Sequence, residues 1–271
     1  MLLAVRHSTN YLFDEPPAYA LQRVRLEPKP THGQHVIEWQ MELHGARHEA
    51  TYDDHFGNHT SLISFEPGAR EVTITCAGLV ESGDTAGILG KHVGPMPLWA
   101  FLPQTPLTRP GAQMRTLIAR LREDRSDKLD VLHELSAAIL AAVRYQAGVT
   151  DAATSAEQAV TLGAGVCQDH AHIFVGAARA LGLPARYVSG YLMMNDRIAQ
   201  EAGHAWAEAH VPALGWVGFD VSNGISPDGR YIRVATGRDY SDAAPVTGIA
   251  YGTVDSALRV DLAVEQQTAE Q

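Results

Sequence analysis

The chain has 271 residues, a formal net charge of −10 and 45% hydrophobic residues, with a mean hydropathy of −0.12. That length admits two compact units, or one domain with a large extension, in a composition typical of soluble globular proteins. Only 21 Lys and Arg residues occur, and they are scattered, which excludes the basic stripe that nucleic-acid binding requires; no run approaches the ~20 apolar residues of a membrane span. The opening MLLAVRHSTNYLFDEPP lacks the basic lead, apolar centre and small-residue cleavage site of a signal peptide, so the cytoplasm is the expected compartment. There the two cysteines, Cys76 and Cys167, are expected to stay reduced.

Residues 2 to about 81 read as an antiparallel, sandwich-like β-unit. Ile37, Trp39, Met41 and Leu43 alternate with polar residues, as do Val72, Ile74 and Cys76. Each run therefore has one face to bury, and Cys76 is the structural cysteine. Asp53-Asp54-His55-Phe56-Gly57-Asn58 between the runs is turn chemistry. From 82 to 111 the chain is rich in Gly and Pro and reads as a connector, with Trp99, Phe101 and Leu102 as anchors. Two amphipathic helices follow. One carries the stripe Met114, Leu117, Ile118, Leu121. The other carries Leu129, Leu132, Leu135, Ile139 and Val143 behind a cap at Ser126 or Asp127. Thr154 and Glu157 have capping-box spacing, which starts a short helix ending before Gly163.

The stretch TLGAGVCQDHAHIFVGAARAL, residues 161–181, organises the rest. A glycine-rich approach delivers Cys167 to the first turn of a helix whose apolar residues recur at helical spacing, and Gly182 and Pro184 stop it. Unpaired N–H groups and the helix dipole at that end favour thiolate over thiol and could hold an oxyanion. A small buried residue at a helix start is the competing reading of Cys167, since free Cys is usually buried. Downstream, Arg186 to Tyr191 reads as a strand. His204 opens an alternating run to Val211, and after a turn Trp216 to Val221 alternates again with Asp220 near its end. Across a hairpin, His204 and Asp220 become neighbours. A thiol, an imidazole and a carboxylate are the parts of an activated nucleophile. Tyr231 to Ala235 is one further strand, and residues 263–271 are polar and expected to fray.

The segments GVCQDHAH, GHAWAEAHV and GWVGFDVSNG resemble the bacterial transglutaminase-like superfamily of papain-type cysteine enzymes. Tyr11 with Pro16-Pro17, Arg25-Leu26-Glu27-Pro28 and Asp54-His55-Phe56-Gly57-Asn58 resemble the β-rich extension that precedes the core in bacterial members. The resemblance implies an α+β fold. An antiparallel β-sandwich-like domain (1–105) precedes a papain-like, transglutaminase-like core of a central helix packed on an antiparallel sheet (106–250), and a C-terminal extension (251–271) closes the chain. It also implies Cys167 as nucleophile, His204 as general base and acid, and Asp220 as orienter of the imidazole. The activity expected is hydrolysis of a peptide or amide bond through a thioester, with glutamine transamidation or a catalytically silent binding module as alternatives. No metal or other cofactor is expected, and the expected partner is a peptide or protein substrate, with no nucleic acid and no membrane; homo-oligomerisation stays open.

Other assignments compete. His170, one turn after Cys167, could be the base, or Cys167, His170, His172 and His204 could form a metal site. Asn223 could replace Asp220, and Gln168 or Tyr191 could be the second oxyanion donor. Trp206 reads as core, and Glu208 and His210 carry no assigned role.

Overall fold

The computed structural model describes residues 1–121, 127–200, 202–252 and 256–267. In chain order the N-terminal part contributes β1 (Leu2–Phe13), β2 (Tyr19–Val24), β3 (Gln34–His44), β4 (Ala46–Asp53), β5 (His59–Phe65), β6 (Glu71–Ser82) and β7 (Ile88–Gly90). The middle contributes α1 (Ala112–Ile118), α2 (Lys128–Ala142), β8 (Arg144–Tyr145), α3 (Ala156–Leu162), β9 (Ala164–Gly165) and α4 (Cys167–Ala180). Then come β10 (Ala185–Leu192), β11 (Ala199–Gln200), β12 (His204–Val211), β13 (Gly215–Phe219), β14 (Tyr231–Gly237), α5 (Tyr240–Ala243), β15 (Val246–Tyr251) and β16 (Ser256–Gln266).

Two antiparallel sheets, ordered β11-β16-β1-β6-β3 and β15-β2-β5-β4, face each other in the N-terminal unit. Phe13, Val24, Leu26, Ile63, Phe65, Val72, Ile74 and Cys76 form one core between them. Cys76 is the structural cysteine that its alternation predicts, and burial followed by the Glu27 charge pushes its thiol up to about 12. Ile37 departs from the predicted pattern. A bulge in β3 between Val36 and Glu38 shifts the register against β6, so Ile37 is exposed while Trp39, Met41 and Leu43 are half-buried. One extra residue in a strand is enough to turn a side chain to the other face.

The C-terminus corrects the sequence reading. Residues 263–266, expected to fray, belong to β16, which pairs with β1 from Leu3↔Gln266 to Phe13↔Ser256, while β15 pairs with β2. The end of the chain thus returns to both N-terminal sheets, because Leu262 and Val264 alternate into a core with Leu3 and Val5. Polar composition hides a strand whose outer face is wet.

The core sheet runs β14-β10-β12-β13-β7. Helix α4 packs across it, and every residue from Asp169 to Arg179 is buried. The predicted helices are present. Asp127 caps α2, its carboxylate accepting from Leu129 N at 2.9 Å; Ser126, the other candidate, lies outside the described residues. The capping box of α3 is Ser155 with Gln158, one residue later than the spacing of Thr154 and Glu157 suggested. Glu157 instead caps α1, accepting from Gly111 N at 2.8 Å and Gln113 N at 2.7 Å, because the two helix starts lie side by side. The connector contains β7, which adds to the edge of the core sheet beside β13. Phe101 is its anchor, 5.3 Å from the Trp216 ring, while Trp99 and Leu102 are exposed.

Two buried amides join the N-terminal unit to β14. The Gln34 amide donates to Arg233 O at 2.8 Å and accepts from Arg233 N at 2.7 Å. Asn58 repeats this with Thr236, at 2.8 Å both ways. They satisfy the outer edge of a strand that would otherwise present unpaired N–H and C=O groups. The turn 54–58 is therefore both a tight connection and a joint. Asp54 accepts from Phe56 N and Asn58 N at 2.9 Å each and is ion-paired to Arg25 at 3.1 Å.

Glu208 and Arg186, on β12 and β10, meet Arg233 of β14 beneath this joint. The buried Glu208 carboxylate takes the Arg186 guanidinium at 2.5 Å and that of Arg233 at 2.8 Å. Arg186 also stacks over Trp216, 3.9 Å from its centroid. Burial raises the Glu208 carboxyl, but the charges and hydrogen bonds of the two arginines outweigh it and hold it below the usual range. Among the described residues no helix is long and apolar enough to cross a membrane.

Candidate active site

The short parallel pair β8–β9 sets Tyr145 opposite Gly165, two residues before Cys167. Gly165 is required here by a close approach: a Cβ would lie 2.6 Å from Asp169 Oδ2. That oxygen accepts from Val166 N at 2.7 Å and from the Thr150 hydroxyl at 2.7 Å, tying down the first turn of α4 with Cys167 at its head. Asp169 is thus an acid in the first turn of α4, although burial raises its carboxyl and its Oδ1 has no hydrogen-bond partner among the described residues.

His204 begins β12 and Asp220 directly follows β13. His204 Nε2 lies 2.6 Å from Asp220 Oδ2, which leaves Nδ1 unused by that pair; the Cys167 side chain acts on the same imidazole. Asp220 is fully buried. It also accepts from the Tyr231 hydroxyl and the Asn223 amide, each at 2.7 Å. Burial alone would raise its carboxyl, but His204, Asn223 and Tyr231 together hold it below the ordinary aspartate value. Asn223 therefore supports Asp220 and does not take its place.

Burial disfavours the His204 imidazolium. The hydrogen bonds to Asp220 and Cys167 and the charges of both outweigh that, and the imidazole is pushed up to about 10. A folded value above the unfolded one, about 6.5, means that protonation of His204 stabilises the fold. That contribution is complete below about pH 6.5 and is lost as the pH rises through about 10. Asp220→Asn removes a charge and an acceptor, so the His204 midpoint should fall by ~1 unit or more. Ring 15N shifts across pH 6–11 measure it, and an unchanged midpoint in the variant contradicts this account of the imidazole.

His170 is engaged elsewhere. Its Nε2 is 2.9 Å from Val143 O and its Nδ1 2.8 Å from Ser222 Oγ, so both ring nitrogens tie α4 to its neighbours. His172 Nε2 accepts from Tyr240 N at 3.1 Å, and burial pushes its imidazole down to about 4. The Cys167, His170, His172, His204 set is not brought together, and among the described residues no group of three or more His, Cys, Asp or Glu could hold a metal. Of the two oxyanion candidates, the Gln168 amide is turned to Ala152 O at 3.4 Å and the Tyr191 hydroxyl bonds His7 at 3.1 Å. Trp206 is core, packed edge-on to Tyr231. Tyr145 and Tyr231 were not visible as site residues in the sequence. Tyr231 merely opens a strand, and Tyr145 follows a helix by three residues; the Tyr145 hydroxyl is raised by burial, then by the Cys167 charge.

Cys167 and His204 open into a cavity of about 290 Å3 between the core and the face formed by β1 and β16.

Residues 115–221 match the core model of the transglutaminase-like superfamily, and residues 3–81 match the bacterial transglutaminase-like N-terminal region. The chain is 28% identical to an uncharacterised protein of Mycobacterium leprae over 279 residues, 97% of each chain. It is likewise 28% identical to one of Mycobacterium tuberculosis over 288 residues, 96% of this chain and 91% of the relative. A crystal structure of a candidate cysteine protease from Cytophaga hutchinsonii has the same fold, with a TM-score of 0.73 at 19% identity over 98% of both chains. The chain thus carries a transglutaminase-like superfamily core at residues 115–221, with the bacterial transglutaminase-like N-terminal region ahead of it at residues 3–81.

Proposed function

We propose that this chain is a thiol-dependent acyl-transfer enzyme that hydrolyses peptide or amide bonds. The observation that carries the reading is the buried pair of His204 and Asp220, with 2.6 Å between imidazole and carboxylate, beside Cys167, whose side chain and charge act on the imidazole. His204 holds the proton taken from the Cys167 thiol, and the thiolate attacks the amide carbonyl carbon. The oxyanion is received by the Cys167 N–H at the head of α4 and by the Tyr145 hydroxyl. As the C–N bond breaks, His204 gives its proton to the leaving amine, and a thioester remains on Cys167. Water then attacks the thioester while His204 takes a proton from it. The C–S bond breaks, the acid leaves, and the proton returns to sulfur. Asp220 keeps the ring in the tautomer and orientation that this requires.

The test is alkylation of Cys167 by iodoacetamide, followed by intact mass across pH 5–9, in the wild type and in His204→Ala. Rapid labelling below pH 8 that slows at least tenfold in the variant supports the reading. An unchanged rate and pH profile removes the relay and leaves a silent binding module. Incubating the acylated enzyme with a primary amine separates the two enzymatic outcomes: free acid as the main product means hydrolysis, and amide means transamidation.

A further inference from the structure

The cavity in front of Cys167 is built by residues that the relay does not use. One wall is the sheet face of β1 and β16, where Thr9 pairs with Val260 and Tyr11 with Leu258. The other is the core, with Tyr187, Tyr191 and Val234. Its polar side chains are already engaged within the protein. His7 bonds the Tyr191 hydroxyl and Thr9, each at 3.1 Å. The Gln22 side chain acts on the Tyr11 hydroxyl, Ser189 bonds Ala243 O at 2.5 Å, and Arg25 is paired with Asp54. Burial pushes the His7 imidazole down to about 4, so it adds no charge at neutral pH.

The Tyr187 and Tyr240 hydroxyls are different: they line the same cavity and have no hydrogen-bond partner among the described residues. Tyr187 is only 2% exposed. A space with apolar walls and one or two unused hydroxyls accepts an apolar group and orients the polar group beside it. A polar or charged side chain entering it would give up water without finding partners. Its size is consistent with this, since about 290 Å3 is roughly twice the ~150 Å3 cavity that takes up benzene.

We propose that this cavity is the acyl-side subsite, and that it selects a bulky apolar side chain, aromatic or branched aliphatic, next to the reacting carbonyl. The Tyr187 hydroxyl donates to the neighbouring backbone carbonyl of the substrate. This rests on Cys167 acting as the nucleophile. It also makes the N-terminal unit and β16 part of the substrate site, so the catalytic helix and its sheet alone form only half of it. A slim glutamine side chain fits such a pocket poorly.

Two affinity reagents test it without a known substrate: acetyl-phenylalanyl and acetyl-glycyl chloromethyl ketones. Each alkylates Cys167 with formation of an S–C bond and loss of chloride. The phenylalanyl reagent should label the full-length protein about 100-fold faster, the scale on which an apolar pocket discriminates. Val260→Trp fills the subsite and should reduce that ratio at least tenfold; Leu258→Trp, at the exposed mouth of the cavity, does the same at a position that tolerates a large side chain. Iodoacetamide, too small to need the pocket, reports whether each variant retains a folded, His204-dependent thiol. A wild-type ratio near one, or a ratio that survives both substitutions, overturns the subsite while the nucleophile stands. Iodoacetamide labelling that ignores His204 overturns both.

Discussion

Replacing His204 with alanine should lower kcat on an amide substrate by ~10^4-fold, the upper range for a general acid–base group, with little change in KM. In the proposed cycle every proton transfer passes through this imidazole, and its neighbours are engaged elsewhere. His170 is bonded at both ring nitrogens and His172 faces Tyr240. Asp220→Asn should approach the same loss, because it removes the negative charge beside His204, and its NH2 faces either the shared position of His204, Tyr231 and the Asn223 amide or the N–H of Asn223. Loss of the correct imidazole tautomer costs ~10^4-fold in the well-studied Ser-His-Asp case. Steady-state kinetics on any cleaved peptide anilide separates the outcomes. A rise in KM with kcat unchanged in both variants would mean that His204 and Asp220 bind substrate without moving protons.

Glu208→Gln should destabilise the folded chain by ~3–5 kcal/mol, since it leaves two buried guanidiniums without their counter-charge. Glu208 is 0% exposed, Arg186 8% and Arg233 7%, so solvent screens little of the loss. The three side chains sit on adjacent strands of the core sheet, directly under the Gln34 joint to the N-terminal unit, so their separation also loosens that joint. The sign of the pH dependence follows from the lowered carboxyl: the wild-type contribution is present above the unfolded glutamate value near 4.3 and is lost as the pH falls through the lower folded value. Urea unfolding at pH 7 measures the effect. A change below ~1 kcal/mol would show that Arg186, stacked on Trp216, and Arg233 find compensating partners.

Much of the site was legible because its signals are local. A glycine-flanked cysteine at a helix start, and a histidine and an aspartate at the two ends of a hairpin, need only helix-stop chemistry and strand alternation to be placed. The same holds for Cys76, whose alternation puts it in the sandwich core. What was illegible depends on side chains meeting across long stretches of chain. Glu157 has the spacing of a local cap, yet it caps the start of α1. Ile37 continues an apolar run, yet a bulge turns it outward. Glu208 shows only a charged residue in a strand; its two partners come from the neighbouring strand β10 and from β14 beyond it.

By itself the sequence determined the helix that carries Cys167, the hairpin that carries His204 and Asp220, and the antiparallel character of the N-terminal unit. Each follows from hydrophobic period and turn residues within about twenty positions. Only the tertiary structure decided that β16 returns to pair with β1, that Asn58 and Gln34 close the edge of β14, and that a cavity lies between β1, β16 and the catalytic helix. Strand pairing between residues 3 and 266 leaves no trace in local period. It is set by which apolar faces remain to be buried once the nearer elements have packed.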